Sequence, residues 1–349
     1  MKCYKYVFNK SIIYNYGFYI LNFIVFLFLL CLVIFLRISF NKLKIDITNI
    51  VFHLKLKNVQ KNPLNLRQKL IQLDTIKIAK FNTLYSDYSM TSSSKSNNVK
   101  TDKEKSNTII VETENSIPNN QILEYKDFEL NDFKYKEALE NDKRSFLQYY
   151  FGLLKINHLF IFSFLQNKDY NSRIIKIFLF FFFFAGHLVI NAFFFNDETM
   201  HKIYIDEGAY NFVYQLPKII YSSLISIIIS VLIKFLALSQ SDIIELKQEK
   251  MKRGLDNKYR KLILKLKIKF IIFYILTFIL LLFFWYYISC FCGIYVNTQN
   301  HVITDSIFSF ITSLIYPFGI CLITGIIRIY SLRSEKSCLY KFSKLLQLF

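Results

Sequence analysis

The residues of this chain best placed to do chemistry inside a membrane are His187 and Asn191. They lie four residues apart in a strongly apolar stretch, so on a helix they share one face. His187 falls near the middle of that stretch, and an ionisable residue at such a depth indicates a proton relay or another polar pathway. A neutral histidine that hydrogen-bonds a neighbouring helix explains the same pattern equally well.

Pro317 is a second candidate, because it falls in the middle of another apolar stretch beside hydroxyl residues such as Ser313. A proline inside a helix removes one backbone hydrogen bond and predicts a kink, as in gating elements. Proline is also common in membrane helices for ordinary packing reasons. We therefore name His187, Asn191 and Pro317 as the candidate intramembrane polar or gating residues.

A run of basic residues precedes the longest apolar block and predicts contact with anionic lipids. Each basic residue near an anionic membrane surface contributes about 1 kcal/mol of attraction. The six candidates are Lys258, Arg260, Lys261, Lys265, Lys267 and Lys269. The requirement to orient the protein in the membrane would select the same residues, and the two interpretations do not exclude each other.

The remaining chemical groups of the chain favour no catalytic or metal site. Residues 196–207 offer oxygen and imidazole ligands, but their spacing matches no ligand motif, and helix capping by Asn196 or Asp197 is the better interpretation. The six cysteines form no CxxC pair. The sequence contains no GxSxG, P-loop, HExxH or kinase signature, so we expect no enzyme, no cofactor and no metal site.

The elements that must position these residues are membrane spans. The chain is 53% hydrophobic and 18% aromatic, and its apolar residues come in blocks. A helix of about 20 apolar residues crosses a bilayer. The blocks predict an N-terminal anchor helix within residues 1–36 and four further spans, at 174–195, 219–238, 270–292 and 306–327. We interpret the first block as an uncleaved anchor, with removal as a signal peptide as the alternative.

The charges of the connecting segments orient these spans. Residues 239–269 hold ten Lys and Arg residues, and the tail from Arg328 holds five, whereas residues 293–305 hold none. The positive-inside rule therefore predicts that the 239–269 loop and the C-terminus are cytosolic. The net charge of +19 is concentrated beside the apolar blocks, and we expect no nucleic-acid partner.

Between the first two spans lies the only large hydrophilic segment, residues 37–131. Alternating residues at 52–57 predict a short strand, and Pro63 predicts the start of a short helix. The polar stretch from Ser89 to about Asn120 predicts disorder. We expect order to resume with a helix cap at Asp132.

Residues 142–156 have one apolar and one basic face, which predicts an amphipathic helix in the headgroup plane. Residues 158–165 extend its apolar character as an elbow. Crossing of the membrane by residues 146–165 is the alternative, and it would move the hydrophilic segment to the other side. The predicted fold is therefore an all-α polytopic membrane bundle with five spans, or six in that alternative, plus an in-plane amphipathic helix.

From about residue 138 to 349, several distinctive sequence strings resemble those of a known protein family. They include DKRSFLQYY at 142–150, FFFNDETMHKIY at 193–204, YNFVYQLPKIIYS at 210–222 and FFWYYISCFCGIYVNTQ at 283–299. The chain resembles an uncharacterised multi-pass transmembrane family of ciliate-type protists. The resemblance implies an integral-membrane module and no particular activity.

Two functional hypotheses follow from these observations. The first is a non-enzymatic scaffold or anchor, whose partners are the bilayer, the anionic lipids of its cytosolic face and a membrane or cytosolic protein. The second is a channel or transporter subunit, in an accessory role, built on the polar site of the second span and a kinked fifth span.

Overall fold

In the computed structural model, residues 13–60, 126–165, 169–248 and 254–347 are described. The chain divides into two compact units, one of residues 1–51 with 125–349 and one of residues 52–124. Of the second unit only residues 52–60 are described, and they form the end of a helix. The predicted disordered stretch and the predicted helix after Pro63 lie outside the described residues.

The part of the chain that the structure describes is all-α. The helices are α1 (Tyr16–Ile34), α2 (Phe40–Gln60), α3 (Asp127–Asp132), α4 (Tyr135–Asn141), α5 (Phe146–Asn157), α6 (Leu159–Phe164), α7 (Arg173–Phe193), α8 (Asp197–Ile205), α9 (Phe212–Ala237), α10 (Gln240–Gln248), α11 (Leu255–Ile294), α12 (Gln299–Arg333) and α13 (Ser337–Leu346). A π-helical turn, Phe35–Ser39, joins α1 to α2.

Five of these helical segments are long and apolar enough to cross a membrane: Tyr16–Lys55, Arg173–Phe193, Phe212–Ala237, Leu255–Ile294 and Gln299–Arg333. Lipid tails offer no hydrogen-bond partners, and a helix needs none because its backbone N–H and C=O groups bond one another. The five predicted spans are thus confirmed, and the chain is an integral membrane protein.

The contacts order the five spans relative to one another. The start of α1 lies at the end of α11, where a Cβ added at Gly17 would come within 2.5 Å of Ile288. The end of α1 meets the start of the apolar run of α11, where the rings of Phe35 and Phe270 are 5.0 Å apart. Helices α1 and α11 are therefore antiparallel. We call the end of the bundle that holds α2, α10 and α13 the basic end, and the end that holds α8 the opposite end.

The direction of α1 and the lengths of the helices in residues 146–165 decide between five and six spans. Helix α1 runs from the opposite end to the basic end, and Arg328, near the end of α12, bonds Leu130 and Asp142 at the basic end. Residues 146–165 form two short helices that break at His158, with 12 and 6 residues. The six-span alternative is therefore wrong, because neither helix is long enough to cross.

Two local predictions in the hydrophilic segment are wrong. Residues 52–57 are helical and not a strand, because α2 continues the first span to Gln60. Asp132 ends helix α3, which begins at Asp127, and the residue at the N-cap of the following helix is Lys134. Helix formation next to an existing helix needs no new nucleation, and this favours extension of a span over a separate short strand.

The amphipathic helix predicted at 142–156 forms as α5, capped by Ser145 through the backbone N–H of Gln148. Its apolar face follows α12. The ring of Phe146 lies beside Gly325, and the ring of His158, just after α5, is 4.7 Å from that of Phe318. Helix α6 then packs on α7, where Ser163 donates to the carbonyl of Lys176 at 2.8 Å.

Candidate functional site

The polar residues predicted on α7 belong to a buried network that joins three spans. His187 and Asn191 are 2% and 1% exposed. The Nδ1 atom of His187 is 2.8 Å from Ser309 Oγ on α12 and 3.3 Å from Ser226 Oγ on α9. The amide of Asn191 donates to the carbonyl of His187 and accepts from Ser222 Oγ, each at 2.8 Å. The shared face of His187 and Asn191 is thus confirmed.

Two parallel helices, α9 and α12, contribute facing residues to the network. Helices α9 and α12 both run from the opposite end to the basic end, and Ser222 and Ser309 face each other at 2.7 Å. One turn nearer the opposite end, Lys218 and Asp305 occupy the corresponding positions and interact through their charges. We call these two pairs, with His187 and Asn191, the polar ladder.

The Lys218–Asp305 pair connects the ladder to helix α8 and to the loop that follows it. Tyr210 donates to Asp305 Oδ1 at 2.6 Å, and Lys218 Nζ donates to Thr199 Oγ1. Asp305 is 1% exposed, and its Oδ2 atom accepts no hydrogen bond from the described residues. A charged pair therefore lies one turn from a chain of neutral hydroxyl groups.

On the side toward the basic end, aromatic rings close the ladder. The ring of Phe310 lies 5.4 Å from His187, 5.5 Å from Phe184 and 5.2 Å from Phe180. These rings form an apolar layer between the polar groups and the basic end.

We call the four neutral groups, those of His187, Asn191, Ser222 and Ser309, the inner ladder. Each of them has a hydrogen-bond partner, so the arrangement can stabilise three packed helices. A buried ionisable histidine among hydroxyl groups is also typical of residues that carry a proton through a membrane.

Helix α12 passes through Pro317 without interruption, as one helix of 35 residues. Pro317 is buried, and it lies next to Phe318, which contacts His158. The proline cannot donate to the carbonyl of Ser313, so that one rung of the helix lacks its bond. The discontinuous helix expected of some transporters is not formed here.

The six basic residues predicted to contact lipid fall into different environments. Lys265 and Lys269 both bind the carboxylate of Asp242, at 2.7 and 2.8 Å, and Lys269 also donates to the carbonyl of Leu238. Burial would raise the pKa of Asp242, but hydrogen bonds and charges from both lysines outweigh it and hold that pKa below its usual value. These two lysines thus fasten α10 to α11.

The other members of the run differ in exposure and in position. Arg260, Lys261 and Lys267 are exposed, and no acidic residue of the described part pairs with them. Lys258 is half-buried and has an interaction partner of its own.

A buried lysine at the start of α7 forms an ion pair. Lys176 is 3% exposed, binds Asp169 at 3.1 Å and lies over the ring of Phe162. The carboxylate of Asp169 compensates the charge of this lysine, which explains how an apolar span tolerates it.

The basic end also holds a buried charge cluster around Arg328, which the sequence did not indicate. Arg328 is 0% exposed and donates to Asp142 Oδ2 at 3.0 Å, and Asp142 also accepts from Arg144 Nε at 2.7 Å. Burial would raise the pKa of Asp142, but the two guanidinium groups outweigh it and lower that pKa. The rings of Tyr149 and Tyr340 lie 5.1 and 4.7 Å from the Arg328 guanidinium.

At the opposite end, the predicted capping role of Asn196 is confirmed. Its side chain accepts from the backbone N–H of Thr199 at 2.9 Å and begins α8. Asp206 forms a surface pair with Lys202 at 3.0 Å. Within the described ranges, no group of three His, Cys, Asp or Glu side chains could hold a metal ion.

Comparison with known protein families, with curated proteins and with solved structures finds no match for this chain. Sequence reasoning found His187 and Asn191 but missed Ser222, Ser226 and Lys218, although these recur every four residues along one face of α9. That periodicity was the available signal.

Proposed function

We propose that the chain is a non-enzymatic membrane scaffold that presents a rigid basic surface to a partner on the cytosolic side. The observation that carries this is the continuity of α11, a single helix of 40 residues from Leu255 to Ile294. Its apolar run starts at Phe270, so residues 255–269 project about 22 Å beyond the hydrocarbon region. A helix that continues a span needs no flexible joint.

Residues 40–51 of α2 support the projecting part of α11, residues 255–269. We call these two segments together the stalk. Leu43, Ile47 and Leu266 belong to one continuous buried cluster with the spans. The hydroxyls of Thr48 and Tyr259 are 3.1 Å apart. These contacts favour a surface of fixed shape and position.

The chemistry of the stalk favours an acidic protein partner near its tip. Arg260 and Lys261 lie ten and nine residues before Phe270, about 14 to 15 Å beyond the hydrocarbon region. The headgroup layer is only about 5–7 Å thick on each side. The charge asymmetry of the loops supports a cytosolic position for this surface. Membership of a ciliate-type protist family remains a proposal that rests on the strings quoted above.

The scaffold is tested by proximity labelling in the native host, with a promiscuous ligase fused to the C-terminus. We expect a defined set of labelled neighbours that is lost in the double variant Arg260→Glu, Lys261→Glu. Lys202→Glu at the opposite end is the matched control and should keep the set. A set that no stalk substitution changes, or a specific ion or solute flux in liposomes, would contradict the scaffold.

The second candidate is a channel or transporter subunit, and the polar ladder is the observation that favours it. A charged pair next to buried hydroxyl groups and an ionisable His187 is typical of residues that line a polar pathway. Flux through the purified protein in liposomes should fall in Ser309→Ala and His187→Ala. Thr277→Ala, which removes a buried hydroxyl bonded within α11, is the control. Equal flux in all three variants would exclude the polar ladder as the pathway of that flux.

A further inference from the structure

An apolar groove of about 480 Å³ lies between α1 and α11 on the surface of the bundle. Its walls are the side chains of both helices, from Phe28 to Phe40 on one side and from Lys267 to Phe278 on the other. Lys267 is the one charged residue among those that line it. The volume lies within the range of small-molecule sites, about 300–1,000 Å³.

The length of the groove matches one leaflet of a bilayer. From Lys267 to Phe278 the helix rises about 16 Å. Half of a hydrocarbon core of about 30 Å is about 15 Å. The groove therefore runs from the boundary at the basic end to about the middle of the membrane, as one acyl chain of that leaflet does.

The charged end of the groove lies at the depth of lipid headgroups. Lys267 precedes Phe270 by three residues, about 4.5 Å, which is within the headgroup layer. Its neighbours Lys265 and Lys269 are both committed to Asp242, whereas Lys267 has no acidic partner among the described residues. An exposed ammonium group is thus left at the mouth of an apolar groove.

A second, independent feature marks the same mouth. The π-helical turn Phe35–Ser39 interrupts the junction of α1 and α2, and Phe35 and Leu36 line the groove. π-helical turns are rare and are found frequently at functional sites. The turn also carries the exposed Arg37. It widens the backbone where a headgroup would lie.

We propose that this groove is a binding site for an anionic glycerophospholipid, with one acyl chain along the groove and its phosphate on Lys267. This goes beyond the scaffold and does not depend on it. A transmembrane helix of a partner, or of a second copy, would fill the apolar walls but would leave the ammonium group of Lys267 without a counter-charge. A lipid satisfies both halves of the site.

The test uses the full-length protein in detergent, with binding of single lipids followed by native mass spectrometry. The probes are a phosphatidylserine, a phosphatidylcholine with the same acyl chains, and glycerophosphoserine, which is the headgroup alone. We expect the phosphatidylserine to bind best. Lys267→Met should weaken it about fivefold, the effect of one basic residue at a membrane surface. Lys261→Met, outside the headgroup layer, is the matched control and should bind normally.

The groove itself is tested by filling it. Ile271→Trp, with Ile275→Phe as a second variant if the first does not fold, should weaken both lipids by a similar factor. Three results would overturn the proposal. They are equal weakening by Lys261→Met and Lys267→Met, headgroup binding as tight as that of the lipid, and a filled groove that converts a dimer to a monomer.

Discussion

The buried charge cluster at the basic end gives the sharpest prediction, because Asp142 is the only carboxylate bonded to Arg328 in the described structure. We consider the substitution Asp142→Ala. It removes the acceptor of Arg328 Nη2 at 3.0 Å and of Arg144 Nε at 2.7 Å. The side chains of Asp142 and Arg328 are 1% and 0% exposed, so water cannot easily replace the carboxylate.

The expected cost follows from this burial. Breaking a buried ion pair by removing one partner costs about 3–5 kcal/mol, because the other charge stays buried without compensation. Arg328 keeps its bond to the carbonyl of Leu130 at 2.9 Å and its ring contact with Tyr340. We therefore expect the lower end of the range, about 3 kcal/mol. Folded proteins are stable by only about 5–15 kcal/mol, so this is a large loss.

The measurement is the free energy of unfolding in detergent micelles, from denaturant titration of the wild type and each variant. Asp206→Ala is the matched control, because its pair with Lys202 is 22% and 40% exposed and should cost under about 1 kcal/mol. The double variant Asp142→Leu, Arg328→Met should recover most of the loss. A cost below about 1 kcal/mol for Asp142→Ala would show that the cluster is hydrated and would refute the reasoning.

Three further predictions test other parts of the structure. The pKa of Asp142 is lowered, so its contribution to stability is present above about pH 4 and is lost as the pH falls through its folded value. Denaturation from pH 8 to pH 2 should show an acid loss that Asp142→Ala reduces, and an equal loss in both would contradict this. Gly17→Ala should cost about 1–3 kcal/mol, since its Cβ would clash with Ile288 at 2.5 Å, whereas Gly186→Ala has open space and should cost nothing. Thermal unfolding compares the two, and equal melting temperatures would refute the close approach. Asn191→Ala should cost about 1 kcal/mol, because it removes the bond from Ser222 to the Asn191 amide, and a neutral result in the same assay would show that the other partners of Ser222, Ser309 and the Ile219 carbonyl, are sufficient.

The position of each span could be predicted from the sequence to within a few residues, but the ends could not. Helix α12 extends to Gln299 and Arg333 beyond the predicted 306–327, and α9 begins at Phe212 and not at 219. Hydropathy reports the lipid-facing part of a helix. It does not report where polar turns continue because neighbouring helices cover them.

The candidate site shows the same division. The sequence placed His187 and Asn191 on one face, because helical spacing alone requires it. It did not indicate that Ser222 and Ser309 meet, since these residues are 87 positions apart. Nor did it separate Lys267 from Lys265 and Lys269, because only the folded structure shows that Asp242 binds the latter two.

What the sequence by itself determined is the class of protein: an all-α membrane protein with five or six spans and basic residues gathered at one end. Apolar length and charge asymmetry are local properties, and the bilayer acts on them segment by segment. Only the tertiary structure decided that Arg328 is buried against Asp142, that the inner ladder is closed by Phe310, and that α1 and α11 leave a groove. These depend on which helices pack together, and packing brings residues together regardless of their separation in the chain.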